Sequence, residues 1–277
     1  MPKRLLISFA HPDDESFGLG SVIGKYVAEG VEVTLICATN GDVGTVDPEH
    51  LNNHDSVASL RLAELECAAQ VLGFKEVILF GYRDSGMMGT PENEHPDCLW
   101  QAPLEKVTQQ IVEVIRRVQP HVIITFDPFG GYGHPDHIKM HRATLAAYQA
   151  VQSDPVHPQK LYYGAFPRIL IRIGVFVMKL MGQDPRHAGR NHDLDFQAVL
   201  DATLPVHAKV DVSRYYEIGE RASDCHASQG NPRRTSLPTR LLARWLTRQA
   251  SFTRADPPPK PGEPLERDLF AGIDAVR

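Results

Sequence analysis

The run Leu5-Leu6-Ile7-Ser8-Phe9, followed at once by Ala10-His11-Pro12-Asp13-Asp14-Glu15, decides how the chain is read. A short apolar run reads as a central parallel strand covered on both faces. A histidine and carboxylates stand where that strand emerges. Ser21 to Glu29 then has helical spacing, with Val22, Ile23, Tyr26 and Val27 on one side, and stops at Gly30. The unit recurs. Val31–Ala38 predicts a second strand, Val57–Leu72 a helix closed by Gly73, and Val77–Phe80 a third strand. Leu104–Val118 predicts a helix, His121–Phe126 a fourth strand, and a further helix runs to about Val151, with Leu161–Ala165 as a candidate fifth strand. This alternation predicts an α/β fold: a Rossmann-like open, mostly parallel sheet with helices on both faces.

Beyond Pro167 the pattern is less regular. Ile169–Met181 reads as a buried helix or a strand pair, Asp184–Asp195 as a loop, Val206–Val210 as a strand and Tyr215–Ser228 as a helix. Ala255–Pro264 is proline-rich and reads as extended surface chain. Residues 1–230 are expected to form the catalytic domain, and 231–277 an extension packing on its surface.

A chain of 277 residues with 42% hydrophobic and 23% charged content suits a globular protein. A formal net charge of −5 advertises no basic face for nucleic acid or anionic membrane. Cys37, Cys67, Cys98 and Cys225 show no zinc-ribbon or redox-pair spacing, so free thiols in a reducing cytoplasm are expected. Met1-Pro2-Lys3-Arg4 leads straight into strand-like sequence whose apolar run is too short for a signal peptide, so none is expected. Ile169–Met181, interrupted by Arg172 and Lys179, falls well short of the roughly 20 residues that span a bilayer. Its apolar length outside the α/β repeat favours a subunit contact, so a homo-oligomer is expected.

A second polar knot, Gly133-His134-Pro135-Asp136-His137, follows the apolar run Val122–Phe126. Ligands gather at the carboxyl ends of strands where strand order reverses, and the first and fourth strands flank that reversal in a Rossmann-like order. Topology therefore gathers His11, Asp13, Asp14, His134, Asp136 and His137 at one crevice. A catalytic zinc takes about three N or O ligands and leaves a position open; His11, Asp14 and His137 suit that set. Asp13, beside a ligand, is placed to take a proton from water, and His134 to stabilise an oxyanion or protonate a leaving amine. Asp136 would orient a histidine. A lone His-Pro-Asp is only a capped turn, and His95-Pro96-Asp97, with no strand before it, is read that way.

The paired His-Pro-Asp motifs resemble the PIG-L/LmbE-like family of zinc-dependent de-N-acetylases. Arg61-Leu62-Ala63-Glu64, Arg83-Asp84-Ser85-Gly86-Met87 and His226-Ala227-Ser228-Gln229 resemble further family motifs, so the likeness covers about residues 4–229. The resemblance implies a Rossmann-like fold, a Zn²⁺ ion (or Fe²⁺) on His11, Asp14 and His137, Asp13 as general base and His134 as acid or oxyanion partner, with Asp136 behind them. It also implies Tyr132 as a mobile residue at the reacting carbonyl, its mobility helped by Gly130, Gly131 and Gly133. Arg61 and Asp84 become the expected sugar contacts. Cys225-His226 reads as helix packing. His50, His54, His187 and His192 read as solvated loop residues, and Trp100 and Trp245 as core, interface or sugar-stacking residues.

The expected activity is hydrolysis of an N-acetyl group on an N-acetylglucosaminyl small molecule, such as a malate glycoside on the way to bacillithiol, an inositol glycoside, or a chitin-type sugar. An amidase acting on larger thiol conjugates would need a wider pocket. A nucleotide-binding Rossmann module would need a glycine fingerprint; Gly18-Leu19-Gly20 lacks its third glycine, and Asp13 and Asp14 would repel phosphate.

Overall fold

The computed structural model describes residues 2–189, 193–230, 244 and 247–273. Strands β1 (Arg4–Phe9), β2 (Glu32–Thr39), β3 (Glu76–Tyr82), β4 (Val122–Thr125), β5 (Lys160–Ala165), β6 (Ala208–Asp211) and β7 (Gln249–Asp256) form one sheet in the order β3-β2-β1-β4-β5-β7-β6. The first five are parallel; β7 runs antiparallel to both β5 and β6. Order reverses between β1 and β4, so both polar knots leave the sheet at its switch point. The expected open, mostly parallel α/β sheet is present.

The helices are α1 (Gly20–Ala28), α2 (Val57–Leu72), α3 (Leu104–Val118), the single turn α4 (Gly130–Gly133), α5 (Pro135–Ala150), α6 (Arg168–Leu180), α7 (Phe196–Ala202) and α8 (Tyr216–Cys225). Alternate residues of β1 feed two cores, as a period of two requires. Leu5, Ile7 and Phe9 join Val22, Ile23, Leu65, Ala68 and Ala222 from α1, α2 and α8. Leu6 and Ala10 join Val107, Ile111, Met140 and Ala143 from α3 and α5. Ser8, on this second face, satisfies its hydroxyl against Thr144 at 2.8 Å.

Three findings differ from the sequence reading. The stretch after residue 230, expected on the domain surface, contributes β7 to the middle of the sheet's second half, and Leu269, Phe270 and Ile273 to the first core. The strand was hidden by its charge: buried Arg254 is neutralised by Glu263 and Glu266, so the local pattern looks polar. Residues Ile169–Met181, read as buried, form α6, of which Val175 is the buried residue, while Phe176 and Leu180 are 66% and 76% exposed. Finally, Cys67 on α2 and Cys225 on α8 form a disulfide with a Cα–Cα distance of 5.8 Å, which corrects the reading of four free thiols. The pair is separated by 158 positions, so only tertiary packing brings it together. Cys37 and Cys98 are free and buried. No described helix is long and apolar enough to cross a membrane.

Candidate metal and hydrolytic site

The site is built from backbone outwards. Where β1 ends, Asp14 folds back and its Oδ2 accepts the N–H groups of His11 (2.7 Å) and Ala10 (3.3 Å). Asp13, between them, takes φ +122°, a value rare for any residue but glycine. Across the switch point His134 is the N-cap of α5: its Nδ1 accepts the N–H of Asp136 at 3.2 Å, and Pro135 fixes the first helical residue. That leaves His137 in the first turn, its ring stacked on Phe126 at 3.9 Å.

Outer partners fix the tautomers. His137 donates from Nδ1 to the carbonyl of Gly130 at 3.1 Å, so in the neutral ring Nε2 carries the lone pair. His11 donates from Nε2 to Asp136 at 3.1 Å, so in the neutral ring Nδ1 carries the lone pair. These two nitrogens face each other 3.0 Å apart. Asp14 lies beside both, its Oδ2 3.5 Å from His11 Nδ1 and its Oδ1 3.3 Å from His137 Nε2. Ligands about 2.0 Å from a tetrahedral ion stand about 3.3 Å from one another. Facing lone pairs repel unless a proton or a cation lies between them, so this donor set fits a divalent ion. Among the described residues, the groupings whose ligand atoms all lie within 4.8 Å of one another are His11, His134 and His137, and His11, Asp84, His134 and Asp136. In both, His134 Nδ1 is already used by Asp136 and its Nε2 points towards Asp84 at 3.9 Å. In the second, Asp136 is held by the N–H and hydroxyl of Ser85. The tautomers aim His11 Nδ1 and His137 Nε2 at a shared point, with Asp14 Oδ1 beside it.

The electrostatics divide the acids. Burial pushes the Asp13 carboxyl up to about 7, against the pull of Arg61. Burial also opposes ionisation of Asp14 and Asp84, yet the neighbouring histidines hold both well below the usual carboxylate range. Burial lowers His11, but Asp84, Asp136 and Asp14 outweigh it and hold the imidazole well above its ordinary value. Burial, with His11 and His137 nearby, keeps His134 well below its own.

A cleft of about 730 Å³ opens onto this arrangement, lined by His11, Asp13, Arg61, Asp84, Tyr132 and His134, with Phe17, Val43, Met87, Phe166 and Phe196 on its apolar walls. Arg61 is buried against the chemistry: it donates to the carbonyls of Pro12 and Gly41 and to Asp13 Oδ2 at 2.9 Å. Tyr132, 38% exposed, lies edge-on to His137 between glycines with positive φ.

The family model described as "PIG-L: GlcNAc-PI de-N-acetylase" matches residues 6–148. The chain belongs to this family. Membership makes it a hydrolytic N-deacetylase. A protein of Thermobispora bispora, named 1D-myo-inositol 2-acetamido-2-deoxy-alpha-D-glucopyranoside deacetylase, is 42% identical over 64% of this chain and 64% of its own length. One of Acidothermus cellulolyticus with the same name is 34% identical over 100% of this chain and 97% of its own. In fold, the chain resembles the N,N'-diacetylchitobiose deacetylase of Pyrococcus horikoshii: TM-score 0.58 at 22% identity, covering 99% of this chain and 87% of that one.

Of the nine residues singled out from the sequence, His11, Asp13, Arg61, Asp84, Tyr132 and His134 line the cleft, and Asp14, Asp136 and His137 lie against His11. Several supporting residues were missed. Ser85 holds Asp136, and Glu15, fully buried, bonds the backbone of Asp13. Each adjoins a motif residue, which is the only signal the sequence offers for them. His226, read as helix packing, lies 2.7 Å from Glu15. His95-Pro96-Asp97 is a locally capped turn, with the Asp97 N–H on His95 Nδ1. Trp100 packs under Lys139 and Arg142, away from the cleft. His192 and Trp245 lie outside the described residues.

Proposed function

We propose that the chain is a zinc enzyme that removes the acetyl group from an N-acetylglucosaminyl inositol, with ferrous iron as the alternative ion. The observation that carries this reading is the pair of imidazole nitrogens, His11 Nδ1 and His137 Nε2, turned towards each other at 3.0 Å beside Asp14. The inositol glycoside, rather than a malate glycoside on the way to bacillithiol, is favoured by the names of the relatives.

His11, Asp14 and His137 would hold the ion, which when bound polarises a carbonyl and makes water more acidic. Asp13 takes a proton from the attacking water; a carboxyl brought up to about 7 is matched to that task near neutral pH. Water oxygen bonds to the acetyl carbon. Neutral His134 presents Nε2–H towards the cleft, where it donates to the developing oxyanion. Tyr132 approaches the same oxygen from its glycine hinge. When the C–N bond breaks, the proton held by Asp13 passes to the leaving nitrogen, giving a free amine and acetic acid, which then ionises to acetate. Asp136 fixes the His11 tautomer, and Asp84 accepts sugar hydroxyls. Arg61 steadies Asp13 and borders the sugar. A cytoplasmic location fits a substrate of this kind.

The apolar walls of the cleft support a second reading, an amidase acting on larger thiol conjugates. A panel of N-acetylglucosaminides and thiol conjugates, assayed for released amine, separates the two. Turnover of the inositol glycoside at least tenfold above the conjugates is expected. Equal inactivity on all N-acetyl substrates would end the proposal.

A further inference from the structure

We infer that Glu15 and His226 form a positioning pair that holds Asp13 in its working geometry; this rests on the reading of Asp13 as the base. Asp13 sits at φ +122°, a backbone conformation that L residues rarely adopt, so something must impose it. Two restraints act on its far side: Arg61 grips its carboxylate and the preceding carbonyl, and the N–H groups of Ser16 and Phe17 both reach its carbonyl at 2.9 Å. The remaining group is its own N–H, which donates to Glu15 Oε2 at 3.0 Å.

Glu15 is fully buried, and an unbalanced carboxylate there would be costly. Its other oxygen accepts from the hydroxyl of Ser16 and from His226 Nε2, 2.7 Å away and also fully buried. His226 comes from 211 residues further along and is the C-cap of α8. Its own place is doubly fixed. The disulfide to Cys67 ties the preceding residue to α2, and Ser228 donates from both N–H and hydroxyl to Glu64 of α2 at 2.8 and 2.7 Å. Helix α2 also carries Arg61. One helix pair therefore reaches both ends of Asp13: Arg61 holds the carboxylate directly, and His226 holds the backbone through Glu15. Neither the Glu15 carboxylate nor the His226 ring bonds a donor atom of His11, Asp14 or His137, so their loss should move turnover without emptying the metal site.

The test compares His226→Ala, His226→Asn and His226→Gln with Asp13→Ala, measuring kcat, KM, bound metal and Tm. The glutamine amide reaches the position of ring Nε2, whereas the asparagine amide stops short. We expect kcat of His226→Ala to fall about 10- to 100-fold, as small misplacements of a reacting group do, with KM within about threefold and metal retained. His226→Gln should recover most of the loss. A purely structural role would lower Tm in both and leave kcat alike. If His226→Ala does not fold, His226→Asn carries the test: kcat at least about tenfold below that of His226→Gln supports the pair, and equal values overturn it. Turnover that survives Asp13→Ala refutes the base reading instead. An inactive Asp13→Ala beside an undiminished His226→Ala refutes only the positioning pair.

Discussion

Metal affinity should rise about tenfold per pH unit, and the structure says which proton is responsible. His11 Nδ1 and His137 Nε2 face each other at 3.0 Å, and outer partners occupy the opposite nitrogen of each ring. Without a cation, one proton must lie between them. The carboxylates of Asp84, Asp136 and Asp14 around His11 overcome its burial and hold that proton there above the ordinary histidine range. Asp14 is held well below the usual carboxylate range, so it releases none. A divalent ion held there would therefore displace one proton from His11, which is one log unit in affinity per pH unit, about 1.4 kcal/mol. Asp13, up at about 7, adds part of a second proton near neutrality, because a neighbouring cation favours its ionised form. Asp13→Asn removes that contribution and isolates the first. The measurement is competition with a fluorescent chelator between about pH 6.5 and 7.5, with calorimetry in two buffers of different ionisation enthalpy to count protons released. A slope near one in Asp13→Asn, abolished with the site in His11→Ala, is expected. A flat profile in Asp13→Asn would show that the two nitrogens do not share an ion.

Further outcomes follow from the same contacts. The acid limb of kcat/KM should fall at or below about pH 7, because activity needs ionised Asp13, whose carboxyl burial has raised; the limb should vanish from the residual activity of Asp13→Asn. Asp13→Ala should keep about one ion per chain and lose about 10²- to 10⁴-fold in kcat, read by amine release and metal analysis together. Reduction of Cys67–Cys225, which spans 158 positions, should lower unfolding free energy by about 2–4 kcal/mol. Thiol titration in denaturant should count two free thiols before reductant and four after, and a count of four beforehand would refute the bridge. The exposed apolar residues of α6, among them Ile173, Phe176 and Leu180, should be covered by a second copy of the chain; Ile173→Asp should then lower the mass found by light scattering, and an unchanged monomer in both forms would argue against it.

How much of this could be read from the sequence depends on the range of the interaction involved. The strands β1, β2 and β4 are buried on both faces, so their composition alone declares them. The two polar knots were legible because each directly follows such a strand, and strand order brings them together. What was not legible depends on partners far along the chain. Strand β7 carries Arg254, and Glu263 and Glu266, nine and twelve residues on and outside the strand's own period, fold against it and make that charge tolerable inside a sheet. The Cys67–Cys225 bridge and the His226–Glu15 contact both depend on α8 lying against α1 and α2, which no local pattern encodes. Helix α6 misled for the opposite reason. Its sequence is as apolar as a core helix, yet only Val175 is buried, so periodicity described the element and not its surroundings.

The division of labour among carboxylates shows why the site needs those distant contacts. Asp13 and Asp84 line the cleft with Asp14 close behind, and burial opposes the ionisation of each. What separates them is the company each side chain keeps. Asp14 turns to His11 and His137, and Asp84 to His11 and His134, so both stay ionised. Asp13 is turned the other way, towards Arg61, and feels Asp14 and Glu15 as like charges, which leaves it the most readily protonated. Asp13 takes φ +122°, and its carboxylate meets Arg61 while that of Asp14 meets the two histidines, although the two residues are adjacent in sequence. The proposed ligand and the proposed base are thus consecutive residues, the second-named in a backbone conformation that favours glycine. It follows that stabilising the turn by exchanging Asp13 for glycine would relieve backbone strain and remove the base together. The substitution Asp13→Gly should thus give higher thermal stability than Asp13→Ala while being equally inactive, and an Asp13→Gly no more stable than Asp13→Ala would mean the turn is not strained at all.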